Sequence, residues 1–331
     1  MRALVTGVGG FCGAHLVRRL RRESGVEIAG LGLGAQQPAQ VCLDRYFQAD
    51  VTNEAVLSAA VREFKPKLLF HLAGVSGHCA TPAHIYDVNI RGTVHVLEAV
   101  RAASPDCAIV IAGSASEYGA VDASALPVGE HTPCRPIGPY GISKYAATFI
   151  ALDYARRYQM RVSVVRAFNI IGPGVPENLL VGALIARAKQ ALLSTNPVVK
   201  IGDMDSKRDF VAVSDAVEAY VRIARSGIRG EIFNICSGRG YSTRYVATML
   251  LANSPRPIAL EFNPDLVPTS PVRIIYGSYK KASRAIGFRP SVSLKAALKD
   301  VWHSEMGPLG RGTREVDRSS KSGDPAKSLK A

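Results

Sequence analysis

No stretch of 18 apolar residues occurs in the chain, so no transmembrane helix is expected. No Cys-x-x-Cys step occurs either. The six cysteines, at positions 12, 42, 79, 107, 134 and 236, are scattered, which argues against a disulfide frame or a zinc site. Free thiols imply a reducing compartment. The seven histidines lack metal-ligand spacing, so no bound metal is expected. Met1-Arg2-Ala3 leads directly into a strand-like run, so no signal peptide is expected, and with the thiols a cytoplasmic location is expected. No segment repeats. The net charge is +14, yet no basic run interleaved with aromatics occurs, so nucleic acid is not an expected partner. Part of the basic excess lies after Leu309, where six Lys/Arg meet three Asp/Glu. That tail, 309–331, is rich in Gly, Ser and Lys, lacks apolar periodicity, and is expected to be disordered. A basic field of this kind favours an anionic small molecule.

What the chain does have is alternation. At 331 residues it fits one large domain or two unequal lobes. Residues 3–5, 27–31, 46–49, 67–72, 108–112 and 162–166 read as strands. Helices are expected over 11–21, 53–64 with Asn53 as cap, 85–103 and 144–158. Strand–helix alternation predicts an α/β fold, a Rossmann-like doubly wound parallel sheet over 1–170, with later segments returning to it. Gly172-Pro173-Gly174-Val175-Pro176 is a loop, followed by a helix over 180–193. Residues 171–305 are expected to form a smaller C-terminal α/β substrate lobe over the crevice. Ligands of such sheets bind beyond the carboxyl ends of the strands. The segments 7–13, 72–74, 113–116 and 167–169 all follow strand ends, so they are expected to converge.

Two motifs carry chemistry. Thr6-Gly7-Val8-Gly9-Gly10-Phe11-Cys12-Gly13 lies between the first strand and the first helix. Gly7 suits a tight turn, Gly10 lets backbone approach a phosphate, and Gly13 lets helix and strand pack closely. The helix N-terminus then offers N–H groups to a pyrophosphate. Tyr140 and Lys144 stand one helical turn apart in Tyr-Gly-Ile-Ser-Lys. A free tyrosine titrates near 10, and a neighbouring ammonium lowers that value towards neutrality. Ser114, after the strand at 108–112, can hydrogen-bond the same reacting oxygen. Together these describe hydride transfer to or from a nicotinamide. The end of the second strand reads Gly30-Leu31-Gly32-Leu33-Gly34, with neither the acid that favours NAD nor a base that favours NADP, so both cofactors stay open.

From residue 1 to about 305, the ordered motifs resemble those of the extended short-chain dehydrogenases/reductases that act on nucleotide sugars. The matching segments include Thr6 to Gly13, Asp50-Val51, His71-Leu72-Ala73-Gly74, Asn89 with Gly92-Thr93, and Ser114 through Gly119. They continue with Tyr140 and Lys144, Arg166-Ala167-Phe168-Asn169, and Arg208-Asp209-Phe210-Val211 with Asp215. The resemblance implies that Gly7, Gly10, Phe11 and Gly13 hold the pyrophosphate and that Asp50 and Val51 contact adenine. It implies Leu72, Ala73, Gly74, Asn89, Tyr140, Lys144 and Ala167 around the nicotinamide ribose. It makes Ser114, Tyr140 and Lys144 catalytic, and gives Ser114, Ser116, Tyr140, Asn169 and Arg208 to the substrate. A homodimer through the helix of Tyr140 and the helix over 85–103 is implied as well.

Within this family the chain is similar to the reductases of GDP-4-keto-6-deoxy-D-mannose, through residues 168–174, 206–210 and 233–241. The related GDP-mannose 4,6-dehydratases use a glutamate two residues after the catalytic Ser/Thr. Here that place is Ser116. In an extended segment Ser116 shares a face with Ser114, and Glu117 points to the opposite one. Glu117 is then expected to be dispensable, and a GDP-linked 4-keto sugar is the expected substrate. A nucleotide-sugar 4-epimerase, a 4,6-dehydratase and a non-enzymatic dinucleotide-binding regulator remain as alternatives.

Overall fold

The computed structural model describes residues 1–76, 80–267 and 272–307. Cys79, residues 268–271 and the tail 309–331 lie outside them. Six strands are laid down in the first half: β1 (Arg2–Thr6), β2 (Glu27–Gly32), β3 (Arg45–Gln48), β4 (Leu68–His71), β5 (Ala108–Ala112) and β6 (Arg161–Ala167). Helices alternate with them: α1 (Phe11–Leu20), α2 (Glu54–Phe64), α3 (Pro82–Tyr86), α4 (Gly92–Ala103) and α5 (Gly138–Arg157). The second half adds strands β7 (Asn169–Ile171), β8 (Val198–Ile201), β9 (Lys207–Arg208), β10 (Phe210–Ala212), β11 (Glu231–Ile235), β12 (Tyr241–Ser242), β13 (Ala259–Phe262) and β14 (Ile274–Ile275). Its helices are α6 (Leu180–Ala191), α7 (Val213–Arg225), α8 (Thr243–Leu251), α9 (Lys280–Ile286) and α10 (Leu294–Met306).

Seven strands form one parallel sheet in the order β11-β6-β5-β4-β1-β2-β3. This is the Rossmann-like doubly wound sheet that the alternation predicts. Its strands read as apolar runs because both faces are covered. Residues one apart on a strand serve different cores. Ala3 and Val5 of β1, with Val110 of β5, pack in one cluster with α1 and α7. Leu4 and Ile109 pack in the other, with α2, α4 and α5. The order reverses at β1, whose neighbours are β2 and β4, and it is beyond the carboxyl ends at such a point that these sheets bind their ligands.

Local signals explain the helix ends. Asn53 accepts the amide of Val56 and caps α2, as expected from its type. Pro139 sits in the first turn of α5, where its missing N–H costs nothing. The helix expected over 85–103 starts earlier, at Pro82, and is broken by a π-helical turn over Asp87–Arg91. That turn carries Asn89, and such insertions gather at functional sites.

Much of the second half forms a separate core. Leu184, Leu250, Leu298, Val301 and Trp302 from α6, α8 and α10 bury one another completely. The parallel pair β7–β10 joins this lobe to the crevice. Phe11 packs against both this core and the sheet core, and His15 of α1 hydrogen-bonds the Pro173 carbonyl at 2.8 Å. No helix among the described residues is long and apolar enough to cross a membrane.

Candidate active site

The glycine turn has the shape a pyrophosphate needs. Gly7 adopts φ +66°, and a Cβ there would stand 2.7 Å from the Ala73 amide nitrogen. A Cβ on Gly13 would stand 2.4 Å from the Gly7 carbonyl oxygen. Both approaches are closed to any other residue type. Gly10 is exposed at the N-cap of α1, whose first-turn N–H groups are open at that end. The turn, the helix end and the exposed backbone of Gly9 and Gly10 fit a dinucleotide pyrophosphate.

Around it, the structure sorts the sequence-derived residues into those facing the crevice and those beneath it. Gly74 is exposed, and a Cβ on it would lie 3.2 Å from Lys144 Nζ. Leu72 and Ala73 are half-buried, and Ala167 closes β6 beside β11. Asp50 is exposed, with one carboxylate oxygen accepting the Thr52 amide at 2.8 Å and the other left for a ligand. Val51 is different. Its side chain is buried in the core against Gly92, so only its backbone can meet an adenine. Asn89 is engaged within the protein. Its amide accepts from Val75 N and donates to Val75 O and Ser143 Oγ, all within 3.0 Å. It fixes the loop at Val75 to α5 and has no side-chain N–H left for a ligand.

The three catalytic candidates come together. Tyr140 and Lys144 lie on the first turns of α5, with the Lys144 ammonium 5.9 Å from the Tyr140 ring centroid. Lys144 is buried and donates to the Ala112 carbonyl at 2.8 Å, which ties α5 to the end of β5. Burial pulls its pKa from 10.5 down to about 8, against the opposing charge of Glu117. Burial pushes the Tyr140 phenol above 10, and a hydrogen bond with Ser114 pulls the other way. The phenol therefore holds its proton at neutral pH. Ser114 Oγ donates to Ser116 Oγ at 3.1 Å.

The 114–117 segment is not extended. Ala115–Glu117 forms one 3₁₀ turn, capped by Ser114 in a reciprocal capping box with Glu117. The expectation that Ser116 and Glu117 alternate along an extended segment is therefore corrected, although Ser116 is exposed and Glu117 is not. Its carboxylate is fully buried and accepts from Arg166 Nε at 2.7 Å, Thr148 Oγ1 at 3.0 Å and Ser114 N at 2.8 Å. Burial pushes its pKa up, against the adjacent Arg166 guanidinium. Removing one partner of a buried ion pair is costly, so the pairing gives Glu117 a structural part that the extended reading did not include. Ser-x-x-Glu is the capping-box pattern, a signal that was open in the sequence.

On the sugar side, Asn169 is exposed and donates to the Asp209 carbonyl at 2.7 Å. Arg208 is half-buried and donates to the backbone carbonyls of Lys207, Val272 and Arg273. The ion pairs found among the described residues do not use it. Asp209 and Asp215 are occupied elsewhere. Asp209 accepts from Ser237 and Gly238, and Asp215 from Ser291 and Val292. The sequence reading also missed His71. Its ring, neutral because burial pushes its pKa down to about 3, bridges Thr6 and Thr93 at 2.8 and 3.2 Å.

Residues 3–236 match the NAD dependent epimerase/dehydratase family. The chain belongs to that family and is an NAD(P)-dependent enzyme. It is 29% identical to a GDP-6-deoxy-D-mannose reductase of Pseudomonas aeruginosa, over 92% of this chain and 98% of the relative. It is 30% identical to a UDP-glucose 4-epimerase of Mycolicibacterium smegmatis, over 90% of this chain and 96% of the relative. Among solved structures it resembles RMD from Pseudomonas aeruginosa complexed with NADPH, with a TM-score of 0.79 and 28% identity, covering 92% and 98% of the two chains. It also resembles a Thermus thermophilus UDP-glucose 4-epimerase in complex with NAD, with a TM-score of 0.81 and 26% identity, covering 93% and 100%.

Proposed function

We propose that this family member reduces the 4-keto group of a GDP-4-keto-6-deoxyhexose. The observation that carries the reading is the combination of Ser116 with a locked Glu117. A dehydratase needs a carboxylate beside Ser114 to take the proton from carbon 5, and a base must lie within hydrogen-bond reach of that proton. The carboxylate of this turn is instead buried against Arg166 and Thr148. The similarity to GDP-6-deoxy-D-mannose reductase supports the same direction.

Gly7, Gly10, Phe11 and Gly13 would hold the pyrophosphate of NADH or NADPH, with Asp50 at the adenine end. When bound, that cofactor supplies a hydride to the carbonyl carbon. The chain's own residues handle the oxygen. Ser114 turns its hydroxyl from Ser116 to the keto oxygen, and Tyr140 gives that oxygen its proton. The Lys144 ammonium stabilises the phenolate left behind. Asn169 and Arg208 would meet the diphosphate, since a dianionic group needs charge-assisted donors. A homodimer through α4 and α5 is part of the reading, because Ile142 and Phe149 of α5 are exposed on its outer side.

The test is incubation with GDP-4-keto-6-deoxymannose and NADPH or NADH while the reduced-nicotinamide absorbance is followed. Stoichiometric cofactor loss is expected, from a preparation whose mass by light scattering is that of a dimer. Epimerised or dehydrated sugar without net cofactor loss would replace the reading with one of its relatives' reactions.

A further inference from the structure

We infer that Glu117 is a positioning residue whose carboxylate sets the Ser114 turn against α5, the helix of Tyr140 and Lys144. The inference rests on the proposed roles of those three residues. Three structural units meet at this one carboxylate. Oε1 takes the Ser114 backbone amide at 2.8 Å, which fixes where the Ser114 side chain starts. Oε2 takes the Thr148 hydroxyl of α5 at 3.0 Å and the Arg166 guanidinium of β6 at 2.7 Å. Thr148 is four residues after Lys144 and eight after Tyr140, so all three share one side of the helix.

The same two units touch at a second point. A Cβ on Gly141 would lie 2.8 Å from the Ser116 carbonyl oxygen. The turn and the helix are thus pinned near residue 141 and again near residue 148, with Tyr140 and Lys144 beside and between the pins. Glu117, Thr148 and Arg166 are almost wholly buried, at 0, 1 and 3% exposure, so water does not share these bonds. Arg166 is itself held from the far side, with its guanidinium over the Tyr118 ring at 4.9 Å and a bond to the Glu130 carbonyl at 3.3 Å. A carboxylate gripped on both oxygens cannot swing without moving one of its partners. The hydroxyl that polarises the keto oxygen and the phenol that protonates it come from different segments. Their separation is held by no covalent link, and displacement of about 1 Å can cost about 100-fold in rate.

Thr148 gives the cleanest test. Thr148→Val keeps volume and branching but deletes the hydroxyl, whereas Thr148→Ser keeps the hydroxyl and deletes a methyl. If Glu117 positions α5 through that hydroxyl, Thr148→Val lowers kcat roughly tenfold with KM unchanged, and Thr148→Ser stays within about twofold of the parent. The reverse order, with Ser the worse variant, would mean that Thr148 matters only for packing and would overturn the inference. Glu117→Gln, where it folds, is expected to lower kcat by about 100-fold with KM nearly constant. A second readout needs no sugar and separates this inference from the reductase reading. In cofactor-free protein, hydrogen exchange of the Ser114 amide is expected to speed up at least tenfold in Thr148→Val and not in Thr148→Ser. An inactive parent with that exchange pattern sinks the assigned reaction and keeps the positioning role. Unchanged exchange in Thr148→Val sinks the positioning role whatever the reaction is.

Discussion

Two walls of the crevice are built in different ways. On the wall made by the 72–76 loop, the 114–117 turn and α5, polar groups are buried and paired. Thr6, His71, Asn89, Thr93, Glu117, Ser143, Lys144 and Thr148 are all buried and hydrogen-bonded to one another or to backbone. On the wall made by β7, β9 and their neighbours, Asn169 is exposed and Arg208 donates to backbone carbonyls and to no carboxylate among the described residues. On the proposed reading, the first wall presents one phenol, one ammonium and one hydroxyl at fixed separations, and the second meets the anionic diphosphate. That reading puts chemistry and substrate choice on different walls, and substitutions can separate them.

The largest expected effect is on the first wall. Tyr140→Phe keeps the ring and removes the hydroxyl whose pKa burial pushes up. Turnover is expected to fall by roughly 10²–10⁴-fold, the usual contribution of general acid catalysis. Cofactor affinity, followed by NADH fluorescence titration, should barely move. Near-normal turnover would mean that another group protonates the sugar oxygen and that the buried wall does not hold the chemistry.

A smaller and different effect is expected on the second wall. Arg208→Gln removes the cation while keeping a polar side chain of similar reach. Hydrogen bonds to charged groups are worth about 1.5–3 kcal/mol, so KM for the nucleotide sugar should rise roughly 10- to 100-fold. The value of kcat should stay within a few-fold, as happens when an interaction is equal in ground and transition states. A fall in kcat with an unchanged KM would erase the distinction between the walls.

The same division explains what could be read before the structure was seen. The sheet was legible because its strands are short apolar runs separated by amphipathic helices, and because Gly7 and Gly13 occupy places no other residue fits. Tyr140, Lys144 and Ser114 were legible because their chemistry depends on residue type and on strand ends. The scaffolding of the buried wall was harder to read. Glu117 and Arg166 are 49 positions apart, so their pairing depends on tertiary structure. The hint was Arg166 itself, a charge inside the run Val-Ser-Val-Val-Arg-Ala-Phe, where burial demands a partner. Val51 and Asn89 show the same dependence on the fold. The resemblance placed them at the cofactor, and only packing shows that their side chains turn inward. The sugar wall was read least, because the sequence puts Asp209 and Asp215 close to Arg208 and does not show what they bind. Only the fold shows both acids committed to Ser237, Gly238, Ser291 and Val292.

The smallest effect sharpens the comparison by asking what the buried wall costs. Lys144 faces Tyr140 on its own helix, Glu117 from the turn and the neutral His71 from β4. Burial lowers its pKa from 10.5 to about 8. Below pH 8 the ammonium is intact and supports the phenolate. Above that pH the charge is lost, so kcat/KM for reduction should be flat from pH 6 to 7.5, drop about twofold by pH 8 and fall about tenfold per unit beyond it. Stability should run the other way. Between pH 8 and 10.5 the unfolded chain binds a proton at Lys144 that the folded chain does not, so this group's contribution to stability rises as pH rises through that window. Lys144→Met lacks the term. Its Tm relative to the parent is therefore expected to be highest near pH 7 and to decline steadily towards pH 10.5, whatever the loss of the Ala112 hydrogen bond adds at every pH. Measuring both proteins by thermal melts across that range decides the matter. A Tm difference that does not change with pH would show that Lys144 titrates like a surface lysine, and that the buried wall holds its charge without cost.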